Sequence, residues 1–524
     1  MNKVIIAGAG PTGLMLANQL ASCGIRVRII EKKTERSVHS KALAVHARTL
    51  ETLDILGIAE RFVKNGIRVD QMNIFPNGHE KISVHLNTLK DKTPFPFVLV
   101  LPQGETERIL EEALNEQTIF VERETEILAC QEENDGVLVK LKNRQGTDTV
   151  KASYLIGCDG AHSTVRKTLN LDFAGGGENV HAMIADLPRE LHPAADGSLY
   201  ISSDGVCLLL PVDHSIMRVI AIDKHRQNFD QKPITLQDVQ SALDRISTRT
   251  IPLKNPVWLT HFSLSHRQVQ SYVHSHIILA GDAAHIHNPI GGQGMNTGIQ
   301  DAANLGWKLA AVLNGDASPS LLDTYQDERR PIARSIIKQT NFLIHALMIQ
   351  KPLIIKLREA VMKRILPHRF IQKKGAEKIS EIHLHYRDSS VCKSLYNKEL
   401  PRKALQAGDR MPDAKLKGMN GDVHIYEVLA PSHFTVLISV PADRLDYARK
   451  LAAGLPSLAA VFFISEDGSP FQTDQLVDSL KQFQKGTGAL SESVIGIRPD
   501  GYIAFHHHTL DAGKIESLLS VWLG

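Results

Sequence analysis

Val4-Ile5-Ile6-Ala7-Gly8-Ala9-Gly10-Pro11-Thr12-Gly13 opens the chain with a short apolar run that breaks into three spaced glycines. The run predicts a buried parallel strand, Leu14 to Ser22 a helix, and Val27-Arg28-Ile29-Ile30 the next strand. In such a turn Gly8 permits the sharp reversal, Gly10 lets backbone approach a pyrophosphate, and Gly13 lets helix and strand pack closely. Pro11 suits the first helical turn, where a missing N–H costs nothing, and Thr12 follows it. The helix start offers N–H groups and a positive dipole end to phosphates. Glu31 closes the second strand, where a carboxylate accepts from ribose hydroxyls and disfavours a 2′-phosphate. This half-site leaves FAD and NAD both open.

Two later segments decide between them. Tyr154-Leu155-Ile156-Gly157 reads as a strand that delivers Asp159-Gly160 into a turn, with Ser163 and Arg166 following. His276 to Ala280 reads as another buried strand and ends in Gly281-Asp282, so a second carboxylate arrives at a strand end. Pro289 and the loop Gly291-Gly292-Gln293-Gly294 then lead through Met295 and Asn296 into a long helix to Leu313. A loop so rich in glycine comes close to something flat or crowded. Backbone N–H groups at Gly294-Met295-Asn296 would face the negative N1 and O2 edge of a reduced flavin, and Asp282 can accept from a ribityl hydroxyl.

With these residues in this order, the chain resembles the class A flavoprotein monooxygenases of the p-hydroxybenzoate hydroxylase and phenol hydroxylase type. The resemblance implies an α/β fold: a Rossmann-like FAD-binding domain, an inserted antiparallel substrate sheet, and a C-terminal thioredoxin-like domain. It implies FAD as cofactor, with Gly8, Gly10, Pro11, Thr12, Gly13, Glu31 and Lys32 on the ADP half and Asp159-Gly160 in the middle. Asp282, Pro289, Gly292, Gly294, Met295 and Asn296 fall on the flavin half. It further implies Arg48 near the pyrophosphate, Gln103 on the flavin side, and Ile127 near adenine. The implied chemistry is reduction of flavin by NADPH or NADH, addition of O2 as a C4a-hydroperoxide, and hydroxylation of a small aromatic, phenolic or polyketide-like substrate. Related flavin chemistry (reduction, halogenation or antibiotic inactivation) and a flavin-bound interaction protein stay open.

The expected boundaries are 1–180 and 270–350 for the FAD-binding part, and 72–100 with 181–269 for the sheet. Residues 351–404 read as a helical region and linker, and 405–524 as the thioredoxin-like part. Val180 to Ala185, Val206 to Pro211 and Ile216 to Ile222 read as sheet strands, joined by Phe75 and the stretch at Phe95 and Phe97. A general base would ionise a phenol, and His46 is a candidate by position, against a structural reading as a plain buried histidine. His285 and His287 flank the glycine loop without a third ligand at useful spacing, so no metal site is expected there. Nothing past Cys392 is a cysteine, which excludes dithiol chemistry from the C-terminal part.

The chain has 524 residues, which calls for several domains, and a net charge of +3 that points to neither nucleic acid nor an acidic surface as partner. Five scattered cysteines fit a reducing, cytoplasmic setting. Met1 runs into a strand without room for a signal peptide, and no apolar run is long enough for a membrane span. A monomer or a homodimer is expected. Phe342 to Leu357 reads as a buried or dimer-forming helix, with a membrane-surface helix as the minority alternative.

Overall fold

The computed structural model describes residues 2–36, 42–76, 81–189, 196–226, 233–247, 251–288, 291–349, 351–455, 458–466, 472–508 and 510–523. The first sheet is centred on five parallel strands: Val121–Arg123, Val27–Glu31, Asn2–Ala7, Gly146–Gly157 and Ile277–Leu279, side by side in that order. Val4 pairs Val27 on one side and Tyr154 on the other, so the strand order reverses at Asn2–Ala7. In open sheets the crevice at such a reversal is where ligands bind, outside the carboxyl ends of the strands. The strands carry Val, Ile and Leu on both faces because both are covered, and Val4, Ile5, Ile6, Leu155 and Ile278 have no exposed surface.

A mostly antiparallel sheet, with one parallel pair between Gly197–Ile201 and Gln71–Pro76, grows out of this unit. Its order is His285–Ile286, Trp258–Gln268, Ala174–Pro188, Ile216–Asp223, Gly205–Pro211, Gly197–Ile201, Gln71–Pro76 and Ile82–His85. The expected strand at 180–185 is therefore the middle of a longer one, Ala174–Pro188. The stretch at Phe95 and Phe97 does not join this sheet. Val98–Val100 pairs instead with Ala44–Val45 and Ile67–Val69, and Phe97 is buried in the core of the first unit. An apolar stretch with two aromatics satisfies either core, and sequence periodicity cannot choose between them.

The third sheet, C-terminal, runs Gly421–His424, Lys415–Gly418, Gln475–Val477, Ala459–Ser465, Phe434–Ser439, Ser493–Ile497 and Ile503–His507. Its last hairpin turns at Arg498-Pro499-Asp500-Gly501, as the sequence predicts. That turn is driven into the rest of the molecule. Arg498 donates to both Glu328 oxygens at 2.6 and 2.9 Å and to Asp500, and Lys308 donates to Glu328 at 2.7 Å. These side chains are fully or almost fully buried. Burial pushes the Glu328 carboxyl up, but Arg498 and then Lys308 outweigh it and hold it at about 2. Asn304 and Lys308 lie on the helix Gln293–Asn314, so the C-terminal sheet grips that helix through ions.

The same helix carries Gln300, whose amide donates to the buried carboxyl of Glu381. Burial pushes Glu381 up to about 8, with the Gln300 hydrogen bond acting the other way. Between the ordinary value of 4.5 and about 8, the folded protein keeps a proton that the unfolded chain has lost. Folding therefore weakens as pH rises through that window.

Arg498→Met would strand two buried carboxylates, and we expect it to cost about 3–5 kcal/mol. Urea unfolding followed by tryptophan fluorescence measures this, because Arg498 lies 5.3 and 4.9 Å from the Trp307 and Trp522 rings. An unmoved midpoint would contradict the role assigned to the network. Glu381→Gln should gain stability over the parent as pH rises from about 5 to about 8, by at most ~1.4 kcal/mol per pH unit. A difference that is constant across those pH values would refute the proton assignment.

Candidate active site

The carboxyl ends of the parallel strands bring the three motifs to one crevice. Gly8 stands in the left-handed region (φ 101°), and its N–H donates to Ile30 O at 2.8 Å. A Cβ on Gly13 would lie 2.0 Å from Gly8 O, so only glycine lets the helix Pro11–Ser22 sit this close to the strand. A Cβ on Gly10 would meet nothing within 4 Å, which leaves the space above it open to a ligand. Glu31 reaches across this turn, accepting the Ala9 N–H at 3.0 Å and the Lys33 N–H at 3.1 Å. A cavity of about 390 Å³ opens here, lined among others by Gly10, Glu31, Lys32, Gln103, Ile127 and Asp159. Gln103 donates to Glu107 at 2.9 Å, and burial pushes the Glu107 carboxyl up.

Asp159 caps the short helix Thr164–Thr168, one oxygen accepting the N–H groups of Thr164 at 2.6 Å and Val165 at 3.2 Å. Its other oxygen is buried without a protein partner. Gly160 follows on the same cavity wall. Arg166 ties this segment to the third one, donating to Ala283 O at 3.0 Å and to Ala161 O at 2.9 Å.

The third segment is held by a buried triad. Asp301 accepts from the Gly281 N–H at 3.2 Å and from Arg329 Nε at 2.7 Å, and it pairs with His285 Nε2 at 2.6 Å. A Cβ on Gly281 would lie 2.5 Å from Thr12 Oγ1, so the first and third segments touch at Thr12. Asp282 thereby stands beside the start of the first helix, exposed but outside the lining of the cavity beside Glu31, while the protein packed around it pushes its carboxyl up. Gly292 (φ 66°) starts the helix Gln293–Asn314 with no side-chain cap, as Gly10 does for Pro11–Ser22. Both helices thus present uncapped N–H groups.

Asn296 is a tie rather than a ligand contact. Its amide donates to Ala44 O at 2.8 Å and Gly292 O at 2.7 Å, and its oxygen accepts the His46 N–H at 2.9 Å. What it leaves to a ligand is backbone. The Met295 side chain packs on the central core. Gly294 opens onto His287, whose ring would be in ordinary contact with a Cβ there, at 3.9 Å. His287 is buried, stacks on His285 at 5.3 Å between ring centres, and is pushed down to about 3 by burial. His46 Nε2 lies 2.9 Å from Gly291 O, and burial holds the ring neutral, at about 4. It fixes the loop. Pro289 lies outside the described residues. Among the described residues no group of three or more His, Cys, Asp or Glu side chains could hold a metal ion.

Arg48 corrects the expectation drawn for it. Its guanidinium is not on the crevice but buried against the C-terminal sheet. There it donates to Glu51 at 3.1 Å, to Tyr426 Oη at 3.2 Å and to Asp500 O, and it stacks 4.7 Å over Tyr502. The i,i+3 spacing of Arg48 and Glu51 was the sequence signal for an internal pair.

The antiparallel sheet carries two cross-strand rows of residues that, Phe75 apart, the sequence did not single out. Its strands alternate faces. Phe75, Tyr200, Cys207, Ala221 and Met183 form one cross-strand row, packed with the helix Leu236–Ile246. The next row, Ile74, Leu199, Leu208, Ile220 and Ile184, faces the other way, and all but Ile184 are only half-buried. On that same face Arg218 and Asp186 form a bidentate pair at 2.7 and 2.8 Å, with Arg218 5.2 Å from the Trp258 ring.

The crevice fits a flavin dinucleotide by its own chemistry. It offers two uncapped helix starts for anionic groups, carboxylates at three strand ends for hydroxyls, and a buried acceptor on Asp159 that lacks a partner. Comparison with known proteins agrees. The FAD binding domain family matches residues 1–340. A protein of Bacillus subtilis (strain 168) named as an uncharacterized aromatic compound monooxygenase is 35% identical over 451 residues, 85% of this chain and 86% of the relative. Pentachlorophenol 4-monooxygenase of Sphingobium chlorophenolicum is 31% identical over 523 residues, 95% of this chain and 93% of the relative. Among solved structures, OxyS anhydrotetracycline hydroxylase from Streptomyces rimosus superposes with a TM-score of 0.76 at 29% identity, over 100% of this chain and 99% of that one. The chain belongs to the class A FAD-dependent aromatic hydroxylases, the monooxygenases built on this FAD-binding domain.

Proposed function

We propose that the protein hydroxylates a phenolic or polycyclic aromatic compound, consuming NAD(P)H and O2 and releasing NAD(P)⁺ and water. The observation that carries this reading is that Glu31, Asp159 and Asp282 all stand at carboxyl ends of one parallel sheet, on strands either side of Asn2–Ala7, beside two uncapped helix starts. FAD, when bound, takes a hydride from the nicotinamide and activates O2. The chain's own residues bind and orient. Glu31 accepts from the ribose hydroxyls, with Lys32, Gln103 and Ile127 around the ADP half. The N–H groups after Gly10 receive the pyrophosphate, and Asp159 and Asp282 take hydroxyls along the linker. The N–H groups after Gly292 face the edge of the ring where negative charge gathers on reduction. His46, neutral and bonded to Gly291 O, keeps those N–H groups in place.

The row Ile74, Leu199, Leu208 and Ile220 forms the substrate wall in this reading. An apolar wall suits an aromatic ring and excludes water from the oxygen-transfer step. The names of the relatives support the class: one acts on pentachlorophenol and one on anhydrotetracycline. We also read residues 405–524 as a thioredoxin-like domain without dithiol chemistry. The central Phe434–Ser439 strand, parallel to Ala459–Ser465 and antiparallel to Ser493–Ile497, supports that. A cytoplasmic setting is supported by five cysteines that are all free.

The test is a panel of phenols and fused-ring aromatics given to the FAD-loaded protein with NADPH or NADH. Substrate-stimulated NAD(P)H oxidation with a product heavier by one oxygen atom is expected. Stimulated oxidation whose product gains hydrogen or halogen instead would replace this reading with another flavin chemistry. Glu31→Ala removes charge-assisted hydrogen bonds worth about 1.5–3 kcal/mol, so FAD affinity should fall roughly 10- to 150-fold. Fluorescence titration with FAD measures it, and unchanged affinity would take Glu31 out of the site.

A further inference from the structure

The expected 342–357 helix is divided between two: Asp323–Met348 ends within it, Pro352–Ile365 begins within it, and the second lies on the outside. None of its described side chains is fully buried. Only Ile355, Arg358, Met362 and Leu366, a single stripe at helical spacing, turn towards the protein. Leu353, Leu357, Val361 and Ile365, each four residues apart, form a second stripe that faces solvent, and Leu353 and Leu357 are 83% and 63% exposed. Phe342 and Phe370, on the helices before and after, are 76% and 66% exposed. Single exposed apolar residues are ordinary, but a continuous exposed stripe marks a surface that meets a partner.

The charge of the same segment identifies the partner. Between Lys351 and Lys374 the sequence has eight lysines and arginines and one glutamate, in a chain whose net charge is only +3. Lys356 and Arg364 are exposed alongside the apolar stripe. An amphipathic helix with exposed leucine and phenylalanine and a strongly basic surround is built to lie in the interface of an anionic membrane, apolar side down. It is not built to cross one, and no described helix is long and apolar enough for that.

We propose that the helix Pro352–Ile365 docks this enzyme on anionic phospholipid bilayers. The inner stripe gives the docking a consequence. Met362 packs against Ile201, Val206 and Leu347, beside Ile74 and Leu199. Arg358 donates to the carbonyls of Ala346, Leu347 and Ser202. The helix therefore sits on the face of the sheet assigned above to the substrate, and docking would place that face against a bilayer into which apolar aromatics partition. The docking itself does not depend on the reaction, since vesicle binding is read without turnover.

The test uses the full-length, FAD-loaded protein in flotation with vesicles of phosphatidylcholine alone and of equimolar phosphatidylcholine and phosphatidylglycerol. Flotation with the anionic vesicles only, reversed by high salt, is expected. Lys356→Glu with Arg364→Glu, and separately Leu353→Ser with Leu357→Ser, should each lower partitioning roughly tenfold or more. Both pairs are on the surface, and retained flavin content and circular dichroism would establish that they fold. No flotation with anionic vesicles, or flotation that both variants retain, would overturn the proposal. So would a concentration-dependent dimer in sedimentation that the leucine variant dissolves, because the stripe would then belong to a second copy of the chain.

Discussion

The helices Pro11–Ser22 and Gln293–Asn314 run parallel, with almost no space between them. A Cβ on Gly298 would lie 2.3 Å from Thr12 Oγ1, and one on Gly306 would lie 2.4 Å from Gln19 Cγ. Thr12 meets Gly298 and Gln19 meets Gly306, so the contact advances along both helices in the same direction. Both N-termini point the same way, that of Gln293–Asn314 reaching about one turn further than that of Pro11–Ser22. Two parallel helices in contact place like dipole ends together, which is unfavourable until an anion sits in front of them. The glycines thus convert a packing requirement into a binding one: the close approach of the two helices also adds one positive dipole end to the other at the cofactor site.

Such an arrangement needs support from behind, and buried ions supply it. Asp301, Asn304 and Lys308 of the second helix point away from the crevice into Arg329, Glu328 and the Arg498 turn. Apolar packing of the same volume would be at least as stable. What charge pairs add is directionality: Asp301 can satisfy Arg329, His285 and the Gly281 N–H together only in one register. A one-residue slip of the helix would leave several buried charges without partners. The C-terminal sheet is therefore part of the mould that sets the glycine loop, although it contributes no residue to the cavity beside Glu31.

This division explains which features could be read from the sequence. The glycine turn, Glu31, Asp159 and Asp282 were legible because each lies at a strand end within a few residues of the turn that gives it meaning. Arg48 was not, because its partners Tyr426 and Asp500 are 378 and 452 positions away and only the fold joins them. Asn296 was legible at the start of the long helix, which begins three residues earlier at Gln293, but the use of its amide on Ala44 and Gly292 is a demand set by tertiary contact. The alternation of the antiparallel strands was visible. Which face looked inward was not, since that depends on where Leu236–Ile246 and the end of Asp323–Met348 come to rest. The break before Pro352 was readable in principle, because the residue before proline resists helical geometry.

The face of the antiparallel sheet that carries the apolar row also carries a strongly polar pair, and that pair is closed on itself. Arg218 spends its fork on both oxygens of Asp186, and its flat face lies by Trp258. A guanidinium already bidentate to a carboxylate has little left with which to select a substrate anion, and breaking the pair would strand a largely buried Asp186. Discrimination by such a wall rests on shape and apolar area, worth only about 1–3 kcal/mol per methylene, whereas rejecting an analogue that lacks one hydroxyl needs a dedicated buried partner. On the reading proposed above, in which this row is the substrate wall, entry would discriminate little among flat apolar rings, and selectivity would reside in how the ring is held once bound.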